Sequence, residues 1–137
     1  MLILNKQLWK RDGIIKVRSS SIDQWEKQDS TLITNCVLNE IKELLEEAVS
    51  EDRKMMLLID LSKGCFPPWL QALKMAGFFV SIKALLTEGL DFTLIYAVTE
   101  QQKTWIGRIL TLYTPARPVH IVENKEEIHD MLRKRSA

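Results

Sequence analysis

Asp60 closes the apolar run Met-Met-Leu-Leu-Ile-Asp at residues 55–60, and is the residue placed most like an active-site carboxylate. Open α/β sheets bind ligands at the carboxyl ends of their strands, although a carboxylate there more commonly caps the amides of the following loop. Ser62 stands at the same strand end, where a hydroxyl of its kind bonds to nearby backbone. Cys65 precedes a helix start, where partial positive charge favours a thiolate. No His or Asn is positioned to make it a catalytic nucleophile. Cys36 falls on the apolar side of a helical pattern and is expected to pack inside, as free cysteine commonly does. His120 alternates with Val119 and Ile121 and reads as a face-of-sheet residue, whereas His129 stands with Glu126 and Glu127 on a short surface helix. Two cysteines, two histidines and no C-x-x-C give neither a disulfide framework nor zinc-ligand spacing. There is no Gly-x-Gly-x-x-Gly and no Gly-Lys-Ser/Thr, so nucleotide use has no support. The expectation is a chain with no catalytic set, no cofactor and no metal.

The elements that hold these residues follow from periodicity. Residues 2–9 and 14–18 are β-prone runs separated by Arg11-Asp12-Gly13, whose Asp-Gly pair supplies positive φ for a tight turn. The polar stretch 19–28 reads as a loop that Trp25 anchors to the body. Ser30 or Thr31 then caps a long amphipathic helix that turns Leu32, Ile33, Val37, Ile41, Leu44, Leu45 and Ala48 to one side. The continuous apolar texture of 55–61 is that of a strand buried on both faces. Pro67 and Pro68 suit the first turn of a helix carrying Trp69, Leu70, Leu73, Ala76, Val80 and Leu86 to a stop at Gly89, with Gly77 as the place for a bend. A second buried strand covers 91–98. Thr99 and Gln102 have capping-box spacing before a helix with Trp105, Ile106, Ile109, Leu110 and Tyr113. After Thr114-Pro115 comes a strand over 118–122. Asn124 with Glu127 repeats the capping spacing before a terminal helix with Ile128, Met131 and Leu132 inward and a solvated Arg133-Lys134-Arg135 end.

This order, β-β-α-β-α-β-α-β-α, predicts one α/β domain over 1–137. Its sheet is mostly parallel and four- to five-stranded, with the first strand antiparallel at an edge. A chain of 137 residues can build a core without disulfides. With 19 Lys+Arg against 18 Asp+Glu, the near-neutral balance argues against nucleic acid, whose binding needs concentrated basic charge. The apolar start is too short for a signal-peptide core, and the apolar region 75–86 is too short for a membrane span, so a cytoplasmic location is expected.

The two opening strands, the long helix, the strand ending Leu-Ile-Asp-Leu-Ser at 58–62, and the closing Arg-Pro-Val-His-Ile-Val at 117–122 before Asn124 together resemble the STAS superfamily, and within it the small SpoIIAA-like bacterial proteins. The resemblance implies a β-α superhelix with helices largely on one face of the sheet. It also implies a regulatory or protein-interaction role. The loop after the central strand, however, reads Gly64-Cys65-Phe66-Pro67-Pro68-Trp69 and lacks the serine that anti-sigma factor antagonists present to their kinase.

The expected function is accordingly a non-enzymatic STAS-like regulatory or protein-interaction domain, with a binding module for a small apolar or lipid-like ligand as the alternative. In that alternative the pocket lies between the 69–86 helix and the sheet. The stretch 75–82 is apolar nearly all round, so Phe78 or Phe79 with Trp69 can meet an acyl chain, a protein partner or a second copy, and a homodimer is expected. The binding or interface candidates are Asp60, Ser62, Cys65, Trp69, Phe78 and Phe79. If helices share one face, the other face of the 55–61 strand needs its own cover, which the segment around Trp25 or a partner subunit is expected to give.

Overall fold

A computed structural model describes residues 2–5, 13–19, 30–62 and 69–136. Trp25, Cys65, Pro67 and Pro68 lie outside the described residues. The elements in chain order are β1 Leu2–Asn5, β2 Ile14–Ser19, α1 Ser30–Ser50, β3 Met55–Asp60, α2 Trp69–Ser81, α3 Lys83–Gly89, β4 Leu90–Tyr96, α4 Glu100–Leu112, β5 Val119–Val122 and α5 Lys125–Ser136. The strands lie side by side in sequence order, β1-β2-β3-β4-β5. β1 pairs antiparallel with β2, and β2 to β5 run parallel. The chain is therefore an α/β fold with the antiparallel strand at one edge. Gly13, before β2, has φ +67, the left-handed conformation expected of that turn.

Each crossover steps one strand in the same direction, and crossovers of one hand then put their helices on one face. Packing shows this. Val37, Leu38, Ile41, Leu45 and Ala48 of α1, with Leu86 of α3, bury against Ile15, Val17 and Leu57, while Ile106 of α4 packs on Leu61 and Ile95. The strand residues between these point the other way. Ile14, Met56, Leu58, Leu94 and Val122 form a second core with Ile128 of α5, flanked by Phe92, Tyr96, Met131 and Leu132. The terminal helix thus covers the second face, the role expected of the Trp25 segment or a partner subunit. A final helix with no further strand to reach is free to fold back on the opposite side.

Three other expectations are corrected. Cys36 is exposed, because Leu38 faces the sheet and a residue two positions away on a helix points nearly opposite. The break in the 69–89 region falls at Ile82 (φ −110, ψ 28), and α2 runs through Gly77 without interruption. Arg135 is no solvated tail residue: its Nε donates to Asp91 Oδ2 (3.0 Å) and its Nη2 to the Lys54 carbonyl (2.8 Å), fastening α5 to the starts of β3 and β4. Gly89 is needed where α3 meets α1, since a Cβ there would stand 3.0 Å from the Val49 side chain and 3.3 Å from the Leu45 carbonyl.

If α5 closes the second core, Ile128→Ala should lower the unfolding free energy by roughly 2–4 kcal/mol. Cys36→Ser, on the exposed side of α1, should change it by less than about 0.5 kcal/mol. Urea denaturation of the two variants beside the parent measures both.

Candidate functional site

The face carrying the crossover helices is not closed everywhere. Between β3 and β4 on one side and α2 and α4 on the other lies a cavity of about 120 Å³. Odd-numbered strand residues, Leu57, Ile59, Leu61 and Ile95, form its floor by the alternation of a strand. Ala72, Met75, Ala76 and Phe79 line it from α2, and Trp105, Ile106, Ile109 and Leu110 from α4. Where α2 faces the cavity with Ala72 and Ala76, the short side chains leave room that a larger residue would fill. The rest of the wall comes from Leu86 of α3, Leu90 and Thr93 of β4, Val119 of β5, and the connection from α4 to β5 with Tyr113, Pro115, Ala116 and Arg117.

Both ends of this space are fixed by hydrogen bonds. At the carboxyl end of the sheet, Gln102 is almost fully buried, at 1% exposure. Its Nε2 donates to the Leu61 carbonyl (2.7 Å), and its Oε1 accepts from the Val98 and Thr99 amides (2.7 and 3.1 Å). Thr99 Oγ1 accepts from the Gln102 amide (3.1 Å), completing the capping box anticipated from the spacing. One side chain therefore caps α4 and ties it to the strand end that lines the cavity. At the opposite end, Arg117 Nε donates to the carbonyls of Leu90 and Asp91 (3.1 and 3.3 Å).

The sequence candidates divide. Asp60 is buried and accepts the Ser62 amide at Oδ1 (2.8 Å), an Asx turn that ends β3. Neither Asp60 nor Ser62 lines the cavity. His120 is exposed, with its ring edge-on to Phe92 at 5.9 Å, and does not line it either. His129 is exposed. Among the described residues no three His, Cys, Asp or Glu side chains gather as a metal site would require. Phe78 and Phe79 meet edge to face at 5.9 Å and pack against the core, with Phe79 in the cavity wall. Among the described residues the exposed large apolar side chains are Trp69 and Leu70 at the start of α2, Val80 within the apolar stretch 75–82, Val98 after β4, Leu112 and Ile121. Trp69 also stands edge-on to Trp105, with ring centroids 6.4 Å apart.

In the sequence Tyr113 is read only as a residue of the α4 helix and Arg117 only as the start of the closing 117–122 segment, and neither is marked as a site residue. No local signal marks them, because their significance arises only when the connection after α4 folds over the strands. Tyr113 is half-buried beside Phe79, with ring centroids 6.5 Å apart. Burial pushes its phenol above the usual tyrosine range, with the Ala116 backbone acting in the opposite direction. No helix among the described residues is long and apolar enough to cross a membrane. No protein-family model, curated protein or solved structure matches the chain.

The Tyr113 shift has a consequence for stability. The folded chain favours the neutral phenol more than the unfolded chain does, so the contribution is intact below the unfolded value near about 10. It is lost as the pH rises through the higher folded value. Denaturation at pH 8 to 11 should show stability falling toward the alkaline end, with a shallower fall in Tyr113→Phe.

Proposed function

We propose that this chain is a non-enzymatic binding domain of STAS-like, SpoIIAA-like fold, and that its function is to hold a small apolar molecule in the cavity between α2, α4 and the sheet. The observation that carries this reading is the cavity itself, about 120 Å³ within walls of Leu, Ile, Ala, Met and Phe side chains. Asp60 and His120, the groups best suited to acid–base chemistry, lie outside its wall, which favours holding a ligand over transforming it. The family reading is supported by the order of the strands, with an antiparallel edge followed by parallel strands in sequence order and crossover helices on one face.

Toluene added to the isotopically labelled chain should produce saturable amide shifts around Leu61, Ala72 and Ile106, with α5 unaffected. A dissociation constant of roughly 0.1–1 mM is expected of so small a ligand. Ala72→Leu extends a side chain into the space and should abolish the shifts while the fold is kept. Absence of saturable shifts in the parent would refute the cavity as a ligand site.

A second reading, a regulatory protein-interaction domain, is favoured by the exposure of Trp69 and Leu70 at the start of α2 and of Val98 after β4 (40%, 77% and 44%). A second copy is the simplest partner. On this reading the chain sediments as a dimer at micromolar concentration, and Leu70→Glu yields a folded monomer because a carboxylate buried without a partner is costly. A parent that sediments as a monomer removes the homodimer.

A further inference from the structure

We propose that the molecule held in this cavity is a small carboxylic acid, its hydrocarbon part among the apolar side chains and its carboxylate at Arg117. The inference rests on the cavity being a ligand site and adds the chemical class of the ligand.

The polar side chains in the wall are Thr93, Trp105, Tyr113 and Arg117. All four can donate hydrogen bonds, one carries positive charge and none carries negative charge. A wall of this character complements an anion.

Arg117 is built for the task. Its Nε donates to the Leu90 and Asp91 carbonyls, which restrains the guanidinium at the cavity wall, and among the described residues its two Nη groups have no hydrogen-bond partner. The neighbouring carboxylate, Asp91, is paired with Arg135 at 3.0 Å. Among the described residues no carboxylate lies within ion-pair distance of Arg117. A planar fork of donors at the edge of an apolar space matches the two oxygens of a carboxylate. Tyr113 belongs to the same connection and remains a neutral phenol, hence a donor, at physiological pH.

Size narrows the class. Engineered apolar cavities of about 150 Å³ accept benzene, and this one is slightly smaller at about 120 Å³. The enclosed space therefore suits a single ring or a short branched chain as the hydrocarbon part. Arg117 is half-buried rather than sealed in, so a carboxylate there keeps part of its hydration and avoids the full penalty of a buried ion pair.

The test titrates the full-length chain with benzoate, benzyl alcohol, benzylamine and toluene, following amide shifts. Benzoate should bind at least about tenfold more tightly than benzyl alcohol, as expected of hydrogen bonds to a charged group. Benzylamine should bind most weakly. Arg117→Gln should bring benzoate down to the level of the alcohol, the readout being the ratio of these two affinities within the variant, and Arg117→Lys should retain part of the preference. Toluene binding with benzoate no tighter than the alcohol would overturn the carboxylate assignment and leave the cavity standing. A benzoate preference that survives in Arg117→Gln would likewise overturn it. Failure of every ligand refutes the cavity reading itself. Should Arg117→Gln not fold, the ranking of the four ligands on the parent decides.

Discussion

β3 is buried on both faces, and the rest of the molecule is arranged to satisfy that constraint. Met55 and Met56 have no exposed surface, and Leu57 and Leu58 retain only 4% and 6%. Each such side chain is worth roughly 1.5–3 kcal/mol when removed from water, which is large beside a net domain stability of about 5–15 kcal/mol. Neither face can be left wet. Strands in sequence order send α1, α2 with α3, and α4 to the face of Leu57, so among the described residues the face of Met56 and Leu58 is covered by α5. Arg135 then acts as a latch, because the helix on which that face depends is held at its far end by Asp91 and the Lys54 carbonyl.

The same layering produces the cavity. Three helical crossovers cover one face, and the space between α2 and α4 is filled only as far as their side chains reach. Ala72 and Ala76 reach less far than the strand and helix residues opposite. A cavity in a close-packed interior forfeits dispersion contacts and is destabilising, so one persists only where its walls cannot collapse. Here Gln102 ties α4 to the end of β3, and Arg117 ties the connection after α4 to the start of β4. Such fixed walls reduce the ordering that a ligand must impose, which is the physical meaning of a preformed site.

The two ends of the site differ in character. At the carboxyl ends of the strands, Leu61 and Trp105 belong to the wall while Trp69, edge-on against Trp105, is partly exposed. At the other end Tyr113 and Arg117 supply donors and charge. A ligand bound with its polar end at Arg117 would place hydrocarbon beneath Trp105, one ring away from an exposed aromatic surface. The cavity and the exposed edge of Trp69 are in this way adjacent.

Much of the fold was legible along the chain, since it depends on local pattern. The two-sided apolar run gave β3, the Thr99–Gln102 spacing gave the cap of α4, and the Asp-Gly pair foretold the positive φ of Gly13. Asn124 Oδ1 likewise accepts the Glu127 amide, as its spacing suggested. The inward side of α1, with Val37, Ile41, Leu45 and Ala48, was legible as well, whereas tertiary structure decided that Cys36 falls outside it, that the α2–α3 break came at Ile82, and that α5 covered the second face. Arg117 and Tyr113 were illegible for the same reason. Periodicity reports which residues share a face of one element, but a cavity wall is assembled from several elements and its charge from whatever connection crosses it, and neither is encoded in the spacing of any single segment.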